Sequence, residues 1–306
     1  MKAKKIVKNV LRKIINPKTL FTLIKIKREK KNKKNRVYID SYLKTYSKMF
    51  RSESLHFPYF SKPDIDPEEI SLSDIENGGI EYSKLIIKKI VDKATPVLDV
   101  GCGLGGLCKM LLTGGYKPVG LTPDNYQYNY ITEKYPEIKV IQSKLETMDS
   151  TSFRHAFGTI ITAESLQYLK LDKAFPIIDD ILKPSGHWIV CDYFKTVTKF
   201  SLKHQHHWDD FVNRIHKMKW EIVSQQDITK NVLPFLAYCS TFSKKILLPM
   251  LGFFIDQFHN KKPGAYFLLE DTIDSINADI IKRLRYIDPD VFSQERKYML
   301  LVIKKK

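Results

Sequence analysis

The residues best suited to chemistry lie together in Val97-Leu98-Asp99-Val100-Gly101-Cys102-Gly103-Leu104-Gly105-Gly106. An apolar strand reaches an acid there, and the chain then turns through glycines into a helix. Gly101 and Gly103 permit positive φ and let a ligand come close to the main chain. The helix start adds N–H groups with no partner inside the helix. A dinucleotide loop, G-x-G-x-x-G, is the rival reading, but the spacing here is G-x-G-x-G-G. Further along, Glu164 stands at the carboxyl end of an apolar segment, with Gln167 and Tyr168 close behind. A carboxylate in that place can orient a substrate or face a positive charge. His204, His206 and His207 follow, and an imidazole titrates near neutral pH and can act as a base.

These residues need elements to hold them. The hydrophobic pattern predicts a helix over Glu81–Lys93, then strands at Val97–Val100, Lys117–Leu121, Lys139–Gln142, Thr159–Ala163 and His187–Tyr193. Helices at Leu107–Leu112, Asn125–Lys134 and Leu171–Leu182 alternate with them. Trp220–Gln225 and Lys297–Ile303 read as a sixth and a seventh strand. The expected fold is α/β: a Rossmann-like, seven-stranded, mostly parallel sheet with helices on both faces and an antiparallel last strand. Ligands of such a sheet bind outside the carboxyl ends of the strands.

With that frame, residues 99–105 resemble the first motif of the class I S-adenosylmethionine-dependent methyltransferases, D-x-G-C-G-x-G, at every fixed position. The resemblance runs from about Glu81 to Tyr193. Gly120-Leu121-Thr122-Pro123-Asp124-Asn125-Tyr126-Gln127 is similar to a segment of the small-molecule and lipid branch, which contains cyclopropane fatty acid synthases and tocopherol and sterol methyltransferases. The resemblance implies S-adenosylmethionine as cofactor. Its methionine part would lie by Gly101 and Gly103, with Asp99 organising the loop. It further implies cofactor contacts from Cys102 and Ala163, from Thr122 and Gln127 near the ribose, and from Leu145 beside the adenine. Glu164, Tyr168 and His207 are the implied catalytic residues. Two features depart from the family. Lys144 stands where an acid for the adenine is common, and Gln167-Tyr168 replaces a frequent histidine. Thr122-Pro123-Asp124 also reads simply as the start of a helix.

The rest of the sequence bears on partners. The formal net charge is +17, which draws polyanions such as nucleic acid, acidic lipid headgroups or anionic small molecules. Residues 1–36 hold many of the lysines against one acid, Glu29, and alternate them with apolar residues at helical spacing. This basic extension is expected to be amphipathic and to offer peripheral contact with an anionic membrane, or else to pack on its own domain. Residues 37–80 are expected as a helical cap, with a helix over Tyr38–Phe50. Residues 81–230 form the cofactor-binding core, 231–288 a helical insertion acting as substrate lid, and 289–306 the final strand.

Cys102, Cys108, Cys191 and Cys239 match neither a zinc spacing nor a disulfide framework, so no metal site is expected and a reducing cytoplasm is the expected location. No apolar run reaches the roughly 18–20 residues of a membrane span, and no secretory signal is expected. No Asn-Pro-Pro-Tyr or Asp-Pro-Pro-Tyr follows the fourth strand, which counts against methylation of nucleic-acid bases. The expected activity is methyl transfer to a small, apolar or lipid-like acceptor. An RNA methyltransferase and a non-catalytic interaction protein stay open as alternatives, as does the oligomeric state.

Overall fold

The computed structural model describes residues 53, 55–197 and 205–305, together with Lys18, Phe21, Thr22 and Lys25. The chain divides into two units, residues 1–49 and 50–306. In the first, the four described residues are helical. The rest of the amphipathic extension, and the helix expected over Tyr38–Phe50, lie outside the described residues.

The second unit is built on seven strands: β1 (Pro96–Val100), β2 (Lys117–Thr122), β3 (Lys139–Gln142), β4 (Phe157–Ala163), β5 (Leu182–Lys195), β6 (Trp220–Asp227) and β7 (Arg296–Lys305). Their order in the sheet is β3-β2-β1-β4-β5-β7-β6. β1 to β5 run parallel, and β7 lies antiparallel between β5 and β6. The expected Rossmann-like sheet is therefore present. Its strand order reverses between β1 and β4, which opens a crevice at their carboxyl ends.

Successive strand residues point to opposite faces, and both faces are covered. Leu98, Val100, Ile160, Trp188, Val190 and Leu301 pack with Phe175 and Ile178 of α4 (Leu171–Ile181) and Phe211 of α5 (Trp208–Lys217). Val97, Ile161, Ile189 and Leu300 meet the other set of helices. These are α1 (Leu72–Ile87), α2 (Gly106–Thr113) and α6 (Thr229–Phe242). On the outer part of the sheet, α3 (Asn125–Lys134) crosses between β2 and β3.

Helix α1 begins well before the expected Glu81 and ends at Ile87 rather than Lys93. The Gly78-Gly79 pair conceals it in the sequence, since glycine is a weak helix former. A reciprocal cap starts it: Ser71 Oγ accepts from Asp74 N at 3.2 Å, and Ser71 N donates to Asp74 Oδ2 at 2.9 Å. Gly78 is there for packing, because a Cβ would lie 2.7 Å from Pro58 Cβ. Ile75, Tyr82 and Ile86 then fall on one buried face.

The region 231–288 is helical, but it is not uniform. Helix α6 belongs to the core through Val232 and Leu236. It continues through a wide turn at Ser243–Leu247 into α7 (Leu248–Lys261), α8 (Pro263–Phe267) and α9 (Glu270–Leu284), none of which buries a residue. The chain re-enters the core at α10 (Pro289–Glu295), where Phe292 is buried just before β7.

Candidate active site at the carboxyl edge of the sheet

The glycine loop joins β1 to α2. Gly101 N and Cys102 N both donate to Leu121 O of β2, at 2.8 and 3.3 Å, and this fastens the turn to the neighbouring strand. Gly101, Gly103 and Gly105 have φ of 78°, 56° and 84°, the left-handed region that glycine alone enters freely. A Cβ on Gly101 would stand 2.6 Å from Ser165 Cβ, and one on Gly103 would stand 3.3 Å from Leu55 Cδ1. Ser165 and Leu55 therefore lie over this loop. No side chain caps the start of α2.

Asp99 is buried beneath the turn, where Cys108 Sγ donates to its Oδ2 at 3.4 Å. Burial raises its pKa to about 7. Its role in the fold is thus to brace the loop from below. Cys102 is also buried and packs with Cys108, Ile131 and Ile138. At the end of β2, Thr122 Oγ1 and Gln127 Oε1 are 2.5 Å apart. Asp124 caps α3 by accepting from Tyr126 N and Gln127 N, at 2.8 and 3.0 Å. Leu145, just past β3, is 2% exposed, with its side chain in the main core.

The densest polar network surrounds Glu164, at the residue where β4 gives way to its loop. Glu164 has φ of 49°, a left-handed conformation that costs a non-glycine residue about 1–2 kcal/mol. Its N–H donates to Cys191 O at 2.9 Å. Its carbonyl accepts from Gln167 Nε2 at 3.3 Å. On the side chain, Oε1 accepts from Tyr298 Oη at 2.7 Å and from Phe57 N at 2.5 Å. Tyr298 Oη is 3.0 Å from Tyr82 Oη, which in turn reaches Cys191 O at 3.1 Å.

Burial raises the pKa of Glu164 to about 7, against the pull of the Tyr298 and Phe57 hydrogen bonds. Asp192 lies nearby on β5, accepting from Tyr193 N at 2.8 Å. Burial, and then the charge of Glu164, push its pKa well above the carboxylate range. Two carboxylates so placed resist carrying charge together.

Aromatic rings enclose this network. The Phe57 ring centroid lies 5.9 Å from Tyr193, 5.8 Å from Phe235, 6.3 Å from Phe292 and 6.2 Å from Tyr298. His56 stacks on Tyr82 at 4.9 Å. Burial lowers its pKa to about 4, opposed by a hydrogen bond to the Ala163 backbone, so the imidazole is neutral at physiological pH. Topology explains why these distant residues meet. Because β7 runs antiparallel, Tyr298 near its start pairs with Tyr193 near the end of β5. Residues 53 and 55–60 lie along the same edge. They are anchored at Glu53, which accepts from Tyr130 Oη at 2.7 Å and pairs with Lys134 and Tyr135, and at Phe60, whose N donates to Asn231 O at 2.8 Å.

Of the candidates read from the sequence, the structure thus brings Glu164, Ala163 and the glycine loop to one edge. Tyr168 reaches the enclosure through its electrostatic effect on Tyr193, and His207 stands at a helix start. Tyr168 is 71% exposed. His207 caps α5 by accepting from Asp209 N at 3.3 Å. Its neighbour His206 is the histidine tied to the loop after β4, with Nε2 3.0 Å from Leu166 O. Sequence reading missed Tyr298, Tyr82, Tyr193 and His56. Only the antiparallel seventh strand could have signalled Tyr298. Among the described residues, no group of three or more metal-binding side chains comes together, and no helix is long and apolar enough to cross a membrane.

Comparison with known proteins agrees with this architecture. Residues 98–190 match the family model described as a methyltransferase domain. Over 109 residues the chain is 32% identical to the sterol 4-C-methyltransferase strm-1 of Caenorhabditis elegans, a match covering 32% of this chain and 31% of that protein. The alignment therefore spans about a third of that relative's length. Geranyl diphosphate C-methyltransferase from Streptomyces coelicolor A3(2), solved with Mg2+, geranyl-S-thiolodiphosphate and S-adenosyl-L-homocysteine, superposes with a TM-score of 0.60 at 13% identity. It covers 82% of this chain and 87% of that one. The cyclopropane synthase MmaA2 from Mycobacterium tuberculosis gives 0.54 at 14% identity, covering 82% and 89%. The matched segment, the motif from Asp99 to Gly105 and the sheet order agree: residues 98–190 are similar to a methyltransferase domain, and the seven-stranded fold is shared with the solved methyltransferase and cyclopropane synthase structures.

Proposed function

We propose that this protein transfers a methyl group from S-adenosylmethionine to a small, apolar or lipid-like acceptor held against Glu164. The observation that carries the reading is the adjacency of two half-sites. Glu164 anchors the aromatic enclosure, and the next residue, Ser165, packs on Gly101 of the glycine loop.

The residues present fit the cofactor. Ser165 Oγ is buried beside Gly101 with no hydrogen-bond partner, and the uncapped start of α2 leaves its first N–H groups without a side-chain acceptor. Gly101 and Gly103 would hold the methionine part, and Thr122 and Gln127 the ribose. When bound, the cofactor supplies an electrophilic methyl group. Displacement at such a carbon needs alignment and exclusion of water more than covalent help. The rings of Phe57, Tyr193, Phe235 and Phe292 provide a dry, apolar wall.

Glu164 provides the proton acceptor for a nucleophile that must lose a proton. Its Tyr298–Tyr82–Cys191 carbonyl chain has a hydrogen-bond arrangement for either protonation state. With Glu164 ionised, Tyr298 donates to it. With Glu164 protonated, the carboxyl donates to Tyr298, which donates to Tyr82, which donates to the Cys191 carbonyl.

The apolar enclosure supports the acceptor class, and so do the sterol and the geranyl chain in the names of the methyltransferases above. The basic, amphipathic sequence of 1–36 supports peripheral contact with an anionic membrane, where a lysine near the surface contributes about 1 kcal/mol.

Calorimetric titration with S-adenosylhomocysteine tests the cofactor half. Binding is expected for the wild-type chain and is expected to vanish in Gly101→Val, whose Cβ meets Ser165. No affinity in the wild-type chain overturns the reading. Mass spectrometry of small molecules that copurify with the chain tests the acceptor half, and polar metabolites alone would sink the apolar assignment.

A further inference from the structure

Ser165 stands where a serine ordinarily caps a helix, yet it caps none. It precedes the single helical turn Leu166–Tyr168, and its carbonyl accepts from Tyr168 N at 3.1 Å. A serine in that position turns its hydroxyl onto the first free N–H groups of the helix. Here the side chain makes no such bond. Asp192 takes the place of the cap, accepting from Gln167 N at 3.4 Å and from Leu166 N.

The hydroxyl released in this way lies over the glycine loop. Ser165 Oγ is 3.3 Å from the point where a Cβ on Gly101 would stand, and the residue is 6% exposed. Among the described residues the hydroxyl has no hydrogen-bond partner. Other buried hydroxyls differ: Thr162 Oγ1 accepts from Trp188 Nε1 at 3.1 Å, and Ser83 Oγ donates to Gly79 O at 3.0 Å. A buried hydroxyl without a partner opposes folding, so one kept beside a ligand-binding loop points to a bond made with the ligand.

The loop's own amides are largely engaged. Gly101 N and Cys102 N donate to Leu121 O, and Gly105 N donates to Cys102 O. The glycines allow close approach, and a side chain has to add to the polar recognition. The left-handed turn at Glu164 sends that residue's carboxylate to Tyr298 and Phe57, and the next side chain to Gly101. Consecutive residues thus serve the aromatic enclosure and the glycine loop.

We propose that Ser165 is a cofactor-binding residue whose hydroxyl hydrogen-bonds the amino-acid end of S-adenosylmethionine. This rests on the cofactor reading given above and adds to it a side chain that recognises the methionine part.

The test is calorimetric titration of the full chain, wild type and Ser165→Ala, with two ligands. One is S-adenosylhomocysteine. The other is methylthioadenosine, which keeps the nucleoside and the sulfur and lacks the amino-acid group. Ser165→Ala is expected to lose about tenfold or more in affinity for S-adenosylhomocysteine, and less than about twofold for methylthioadenosine. Its ligand-free melting temperature is expected to equal or exceed the wild-type value, because alanine removes a buried hydroxyl that has no partner in the fold. A lowered melting temperature would place the hydroxyl among the fold's own hydrogen bonds and overturn the proposal. Equal losses for the two ligands would do the same, since they mark a shifted loop rather than a lost bond. Wild-type binding of S-adenosylhomocysteine that Ser165→Ala leaves untouched removes this inference alone. A wild-type chain that binds neither ligand removes the cofactor reading and this inference with it.

Discussion

The carboxyl edge of the sheet and the α7–α9 hairpin both carry bulky apolar side chains, and their fates are opposite. At the edge, Tyr82, Phe292, Tyr298 and Ile161 are buried and hold a charged or polar group in place at almost every step. In the hairpin no residue of α7, α8 or α9 is buried. Composition alone therefore says little about function here. What matters is whether the apolar groups have strands to pack against. The edge can hold a carboxylate at a shifted pKa because it is packed and dry. The hairpin is neither packed nor dry.

Four substitutions test that contrast, in order of expected effect, with Phe253→Ala as the control for the first. Trp188 is fully buried, with Phe175 at 5.2 Å and Phe211 at 5.8 Å. Trp188→Ala is expected to cost about 3–5 kcal/mol in urea unfolding, whereas Phe253→Ala in the hairpin should stay within about 0.5 kcal/mol. Equal losses would erase the distinction between the two regions.

Glu164→Gln is expected to lower the methyl-transfer rate by about 10²–10⁴-fold while leaving S-adenosylhomocysteine affinity intact. The wild-type rate should rise with pH through about 7 as the carboxylate forms, and the variant should lack that rise. Stability carries the opposite sign. The folded pKa lies above the ordinary 4.5, so stability present at low pH is lost as pH climbs from there through about 7. Glu164→Gln removes that loss, and thermal melts across the range would reveal it.

Tyr298→Phe deletes a hydrogen bond to the carboxylate. It should move the midpoint of the pH–rate profile upward by up to about one unit. An unmoved midpoint would detach Tyr298 from the proton chemistry and leave it a packing residue. Of the four, the smallest effect is expected at His207→Ala, a lost helix cap worth about 1 kcal/mol with the rate per folded molecule unchanged. A rate collapse there would restore His207 to the catalytic set.

These cases also show what the sequence could disclose. The strands and the glycine turn were legible because Val97 to Val100 and Phe157 to Ala163 are apolar runs bounded by turn residues, and one run leads straight into Gly101. Glu164 was legible as the first polar residue after β4. The start of α1 was hidden because Gly78-Gly79 obeys a packing demand from Pro58 rather than a helical preference. Tyr82, Tyr298 and His56 were hidden because 26 to 242 residues separate them along the chain, and Tyr298 reaches the edge only through the antiparallel course of β7. At His207 the sequence offers a cap and a base alike, since both need a histidine in the same kind of loop; the structure shows the cap, with the acids Asp209 and Asp210 behind it.

One stretch of backbone ties the chemistry to the shape of the whole edge. Between Glu53 and Phe60 the chain covers Gly103 with Leu55 and, two residues later, offers the Phe57 N–H to Glu164. One displacement of this stretch would therefore uncover the glycine loop and take a hydrogen bond from the carboxylate together, so the two halves of the edge are tied through three residues.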